Sequence, residues 1–95
     1  MTRVKVVYTR HARTRMFERA ISTRAVEDVG LGPSAVVEEY PDDKPFPSRL
    51  LLGCLEGEAL HVHVAVDHAA DTLIVVTAYR PDPARWESGF TRRKP

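Results

Sequence analysis

The stretch Leu60-His61-Val62-His63-Val64-Ala65-Val66-Asp67 decides the fold. Side chains two apart on a strand point the same way, so Leu60, Val62, Val64 and Val66 form one apolar row, while His61, His63 and Asp67 turn to the opposite side. Three further runs share this period of two: Ala35 to Tyr40, Arg49 to Leu55 and Thr72 to Tyr79. The short connections Glu56-Gly57-Glu58 and His68 to Asp71 favour antiparallel hairpins. In the second run Arg49, Leu51, Gly53 and Leu55 lie opposite Leu50, Leu52 and Cys54. In the last, Leu73, Val75, Thr77 and Tyr79 oppose Ile74, Val76, Ala78 and Arg80, and both sets are apolar enough to leave open which one joins the histidines. The expectation is an open sheet face bearing His61, His63, Arg49 and either Tyr79 or Arg80.

Upstream the period changes to that of a helix. Val4, Val6 and Tyr8 read as a short strand, Thr9 as a helix N-cap, and His11 to about Ala20 as a basic amphipathic helix. At 100° per residue Ala12, Met16 and Ala20 share one arc with Phe17 at its edge, whereas His11, Thr14, Arg15, Glu18 and Arg19 share the other. Ser22 caps a second helix, Thr23 to Val29, which Gly30 is expected to end in a left-handed C-cap with Leu31 folding back. The predicted architecture is α+β: a short N-terminal strand and two helices packed on a mainly antiparallel four-stranded sheet.

Ninety-five residues make a single domain over 1–95, with a basic C-terminal tail from 81 to 95. A composition of 43% hydrophobic and 28% charged residues excludes wholesale disorder. Net charge is only +1, but its distribution is uneven. Six arginines lie between Arg3 and Arg24, Arg80, Arg85, Arg92, Arg93 and Lys94 crowd the end, and acidic side chains such as Glu38, Glu39, Asp42 and Asp43 hold the middle. Bringing the two ends together would create a basic surface. The lone Cys54 excludes an internal disulfide, and no apolar run reaches the length of a membrane span, so a reducing cytoplasm is expected. The loop Pro41 to Pro47 reads as rigid, with Phe46 tucked beneath it.

Several blocks resemble one bacterial family, the domain of unknown function 4258. They are Thr9-Arg10-His11-Ala12 with Arg15-Met16 and Glu18-Arg19-Ala20-Ile21-Ser22; Glu38-Glu39-Tyr40-Pro41 with Pro47-Ser48-Arg49-Leu50-Leu51-Leu52-Gly53; Leu60-His61-Val62 with Val64-Ala65-Val66-Asp67; and Tyr79, Pro81-Asp82-Pro83, Arg85-Trp86-Glu87 and Gly89-Phe90. The blocks keep their order over nearly the whole chain. That family is similar to RelE, ParE and BrnT-like toxins, so the resemblance implies a RelE-like fold and a toxin component that acts on RNA, neutralised by an antitoxin such as a YgiT-type zinc-ribbon protein. His63 stands where the family commonly has valine, which makes His61 the better candidate of the two; Arg13 is also unmatched.

Metal-free RNA cleavage needs a base for the 2′-hydroxyl, an acid for the leaving oxygen, and cations on the phosphate. His61 and His11 are the candidates for the proton transfers, Arg49 and Arg15 for the phosphate clamp, and Tyr79 for an auxiliary hydroxyl or stacking ring. Arg19, Arg80, Arg85, Arg92 and Arg93 are candidate RNA-binding residues, and Trp86 is expected to anchor the tail on the sheet. This reading needs no cofactor or metal; the rival is a zinc ion on His61 and His63 with Asp67 or His68. It also requires His11 and Arg15 to lie beside His61. The leading expectation is therefore an endoribonuclease-like toxin whose partners are RNA and a cognate antitoxin, with room for a homodimer. The alternative is a non-catalytic protein- or RNA-binding module of the same fold. A weaker one is gyrase-directed action, as in ParE relatives.

Overall fold

The computed structural model describes residues 4–95; Arg3, counted above in the basic N-terminal cluster, lies outside them. The elements are β1 (Lys5–Tyr8), α1 (Arg10–Glu18), α2 (Thr23–Leu31), β2 (Ala35–Tyr40), β3 (Ser48–Leu55), β4 (Glu58–Asp67) and β5 (Thr72–Tyr79). They form one sheet in the order β1-β5-β4-β3-β2, with both helices on one face. The α+β class is as expected, but the sheet has five strands and is mixed. β1 joins it, parallel to β5, with the Lys5 amide bonded to the Asp71 carbonyl and the Thr9 amide to that of Val75. This pairing spans more than sixty residues, which no local pattern announces.

The core lies between helices and sheet. Ala12 and Met16 of α1 and Ala25, Val26 and Val29 of α2 close over Leu60, Val62, Val64, Leu73, Val75 and Ala78. Each of the larger aliphatics contributes about 1.5–3 kcal/mol by leaving water. Both predicted caps form: the Thr9 hydroxyl accepts the Ala12 amide at 3.0 Å, and Ser22 accepts that of Ala25 at 3.1 Å.

Helix ends depart from expectation. α1 stops at Glu18, and Ala20, at φ 54°, takes the left-handed position; the Ala20 amide bonds the Phe17 carbonyl and the Ile21 amide that of Met16. This is a Schellman ending, with Met16 and the following Ile21 both buried. Ala20 is thus exposed and leaves the predicted apolar arc. α2 runs through Gly30 to Leu31, and Gly32 caps it in an extended conformation at φ −95°. Glycine at 30 serves packing: a Cβ there would stand 2.8 Å from Leu73 Cδ2. Leu31 remains exposed, so the predicted fold-back does not occur.

One irregularity controls the far face. Val64 pairs with Val75 but His63 pairs with Thr77, so Val76 is an extra, bulged residue on β5. The bulge breaks the predicted alternation. Leu73 and Val75 face the helices, whereas Thr77 and Tyr79 face away, beside His63 and His61.

Candidate functional site

β4 places the His61 side chain on the face away from the helices, between Leu52 of β3 and Tyr79 of β5. Residues 81–95 fold back over it. The Asp82 carbonyl accepts the amides of Arg85 and Trp86, and Trp86 and Arg93 pair as an isolated bridge. The Trp86 ring stands edge-on to His61 at 4.5 Å, as an anchor should. His61 is fully buried. Its Nε2 lies 2.8 Å from the Phe90 carbonyl oxygen, which only accepts, so Nε2 carries the proton and Nδ1 accepts from the Tyr79 hydroxyl at 3.2 Å. Burial also pushes the imidazole pKa down. His61 is neutral with both nitrogens engaged, and offers a substrate no lone pair.

The expected two-histidine cluster is not assembled. Arg49 pairs with Val64 and borders the helix-side hollow with Gly30, Leu51 and Val66, so it occupies the face opposite His61. The parity of β3 decides this, since Arg49 shares its side with the core residue Leu51. His11 and Arg15 are exposed on α1, on the helix side of the sheet, and Arg15 bonds Glu18 at 3.0 Å as a surface pair. Neither reaches the His61 face.

His63 takes part in a different chain. Its Nε2 lies 3.0 Å from Ser48 Oγ, and Ser48 donates its own proton to Asp43 Oδ2 at 2.7 Å. The hydroxyl is buried and its proton points away from the imidazole, the wrong direction for an activated nucleophile. His61 and His63 do share a face, but no group of three His, Cys, Asp or Glu side chains stands together among the described residues, and His61 has no free nitrogen for zinc.

What the fold does assemble is an arginine cleft of about 510 Å³, bordered by Arg19, Tyr79, Arg80, Arg85, Trp86 and Arg93, with Asp82 as its only carboxylate. The end of α1, the end of β5 and the tail meet there. Arg19 Nη1 donates to the Ala78 carbonyl at 2.9 Å. Arg80 donates to the Arg19 carbonyl at 2.6 Å and pairs with Glu58 at 3.3 Å. Arg93 forks onto Glu38 at 3.0 and 3.1 Å, which holds that carboxyl below its usual range, and its guanidinium lies 4.6 Å from the Trp86 ring centroid. Arg85 makes no side-chain hydrogen bond among the described residues. Tyr79 and Arg93 also border a neighbouring hollow of about 320 Å³ that contains Tyr40, Asp43 and His63. Burial raises the Tyr79 pKa, so its hydroxyl stays protonated. Four guanidinium groups thus border the cleft: Arg80 and Arg93 are paired with Glu58 and Glu38, Arg19 is held by a backbone carbonyl, and Arg85 is left to meet an anion.

The family model described as a domain of unknown function (DUF4258) matches residues 8–80. The chain belongs to that family. Neither a curated protein nor a solved structure matches it. The DUF4258 match includes Arg19, His61, Tyr79 and Arg80 and ends before Arg85, Trp86, Phe90 and Arg93, so the tail completes the cleft from outside the matched segment.

Four of the five predicted RNA-binding arginines therefore converge, while Arg92 is exposed outside the cleft. Three partners escaped sequence reasoning: Asp82 in the cleft, Glu38 clamping Arg93, and the Phe90 carbonyl. The last is backbone and carries no residue-type signal. No helix among the described residues is long and apolar enough to cross a membrane.

Proposed function

We propose that this DUF4258 chain is an RNA-binding domain whose arginine cleft grips backbone phosphates. One observation carries the reading: Arg19, Arg80, Arg85 and Arg93 come from three separate segments and present their charge in one cleft beside the protonated Tyr79 hydroxyl. Guanidinium forks match phosphate geometry, and the Tyr79 oxygen, whose proton goes to His61, can accept from a ribose hydroxyl. Trp86 acts as support, because His61 and Arg93 already occupy its surroundings. The test is titration of a labelled single-stranded RNA at several salt concentrations. Each phosphate contact contributes about −0.7 to the slope of log affinity against log salt, so Arg85→Ala should weaken binding and flatten the slope by about that amount. Arg49→Ala, on the opposite face, should change nothing. Equal effects of the two substitutions would sink the reading.

A second reading is the RNA-cleaving toxin of a toxin–antitoxin pair, akin to RelE and BrnT-like toxins and held in check by a partner such as a YgiT-type protein. The Tyr79 hydroxyl favours it, being oriented by His61 at the border of both hollows. Growth arrest on expression alone, relieved by the neighbouring gene and abolished by Tyr79→Phe in a folded protein, supports cleavage. Harmless expression of folded, RNA-binding protein leaves the binding module.

A further inference from the structure

The arginine cleft leaves the β1 edge of the sheet unexplained. Phe17 is 89% exposed on α1, an unusual position for the residue that should border the core. It adjoins a hollow of about 400 Å³ bordered by Tyr8, Arg13, Met16, Phe17, Ile21 and Thr23. None of these residues borders the arginine cleft. Beside the hollow runs β1, the last strand of the sheet among the described residues. The amides of Lys5 and Thr9 point at β5. Alternation along the strand then turns those of Val6 and Tyr8 outward, where no strand meets them among the described residues.

Cations outnumber carboxylates around this edge. Arg10 and Arg13 precede Phe17 by seven and four positions, which puts all three on one side of α1, and Lys5 lies on β1 itself. Against them stand Glu27, which accepts from the Tyr8 hydroxyl, and Asp71, whose carbonyl bonds the Lys5 amide. Arg13 makes no side-chain hydrogen bond among the described residues. At the other edge of the sheet, β2 carries Glu38 and Glu39 and is interrupted by a bulge at Val37, which protects it from strand addition. An acidic strand would be repelled by β2 and attracted to β1.

We propose that the β1 edge is a docking site for an extended acidic segment of a second polypeptide. The segment adds as a strand along Val6 and Tyr8, inserts an apolar side chain beside Phe17, and pairs a carboxylate with Arg13. A second copy of this chain is a poorer occupant, because its only acidic edge is the bulged β2, whose Glu38 is committed to Arg93.

The probe is a fluorescein-labelled, end-capped peptide that alternates Glu with Val, followed by anisotropy and by the amide spectrum of the labelled full chain. The expected result is saturable binding, with the Val6 and Tyr8 amides shifting most. Phe17→Asp and Arg13→Glu change exposed residues, and each should weaken binding by about tenfold or more at an unchanged thermal midpoint. A peptide with Lys for Glu, or with a central proline, should not bind. Absence of saturation up to about 1 mM, insensitivity to both substitutions, or shifts confined to the arginine cleft would overturn the proposal. So would self-association of the protein alone that Phe17→Asp abolishes, which would assign the edge to a second copy.

Discussion

His61 donates its Nε2 proton to the Phe90 carbonyl oxygen across 2.8 Å, joining the middle strand of the sheet to a backbone atom 29 residues later. Together with the Tyr79 hydroxyl on Nδ1, this satisfies the imidazole and fastens the tail over the sheet. His61→Ala should therefore act on stability, costing about 2–4 kcal/mol from lost packing and hydrogen bonds. Urea titration followed by the fluorescence of Trp86, the only tryptophan, checks it. A fully stable variant with unchanged emission would contradict the buried clasp.

Acid should weaken the fold. Burial lowers the pKa values of both His61 and His63, whereas in the unfolded chain each binds a proton near pH 6.5. Below about pH 6.5 the unfolded state thus holds more protons, and stability falls as pH drops toward the folded-state values, by at most about 1.4 kcal/mol per unit for each histidine. Urea midpoints compared between about pH 7.5 and 5.5 should show the decline. A flat profile would mean that neither ring resists protonation.

Glycine at position 53 lets α2 approach β3. A Cβ there would stand 2.2 Å from Val29 Cγ2, and Val29 is buried. Gly53→Ala should cost about 1–3 kcal/mol by overpacking, and the pair Gly53→Ala with Val29→Ala should be more stable than the sum of the single changes implies. Additive losses in chemical denaturation would place the strain elsewhere.

Ala20 closes α1 at φ 54°, a conformation that costs an L-residue about 1–2 kcal/mol. Ala20→Gly removes that cost and adds some unfolded-state freedom, so a net gain of about 0.5–1 kcal/mol is expected. A higher thermal midpoint confirms it, and a lower one refutes it.

Local features were legible in the sequence. Thr9 and Ser22 act within three residues of the amides they cap, and the apolar row of β4 needs only the pleat. What depended on distant chain was not. Gly30 resembles a helix stop until Leu73 arrives beside it. β1 becomes a fifth strand only through β5, and His61 changes from an exposed candidate to a buried clasp once the tail covers it. Of the candidate site, the clustering of arginines from both chain ends was readable from charge distribution, and Arg19 with Arg80, Arg85 and Arg93 fulfils it. Arg49 departs from expectation because it shares the parity of Leu51, which faces the helices.

Val76 is one residue out of step, and its effect is to divide β5 into two halves that answer to different constraints. Leu73 and Val75 are held to the shape of the core, while Thr77 and Tyr79, past the slip, face the tail and the cleft. Were Val76 to pair in step, opposite His63, the second half would invert, turning the tyrosine toward the helices and Ala78 outward. The cleft thus depends on a slip in register as much as on its chemistry: a strand that ran in step through Val76 would turn Tyr79 away from it with every arginine still in the sequence.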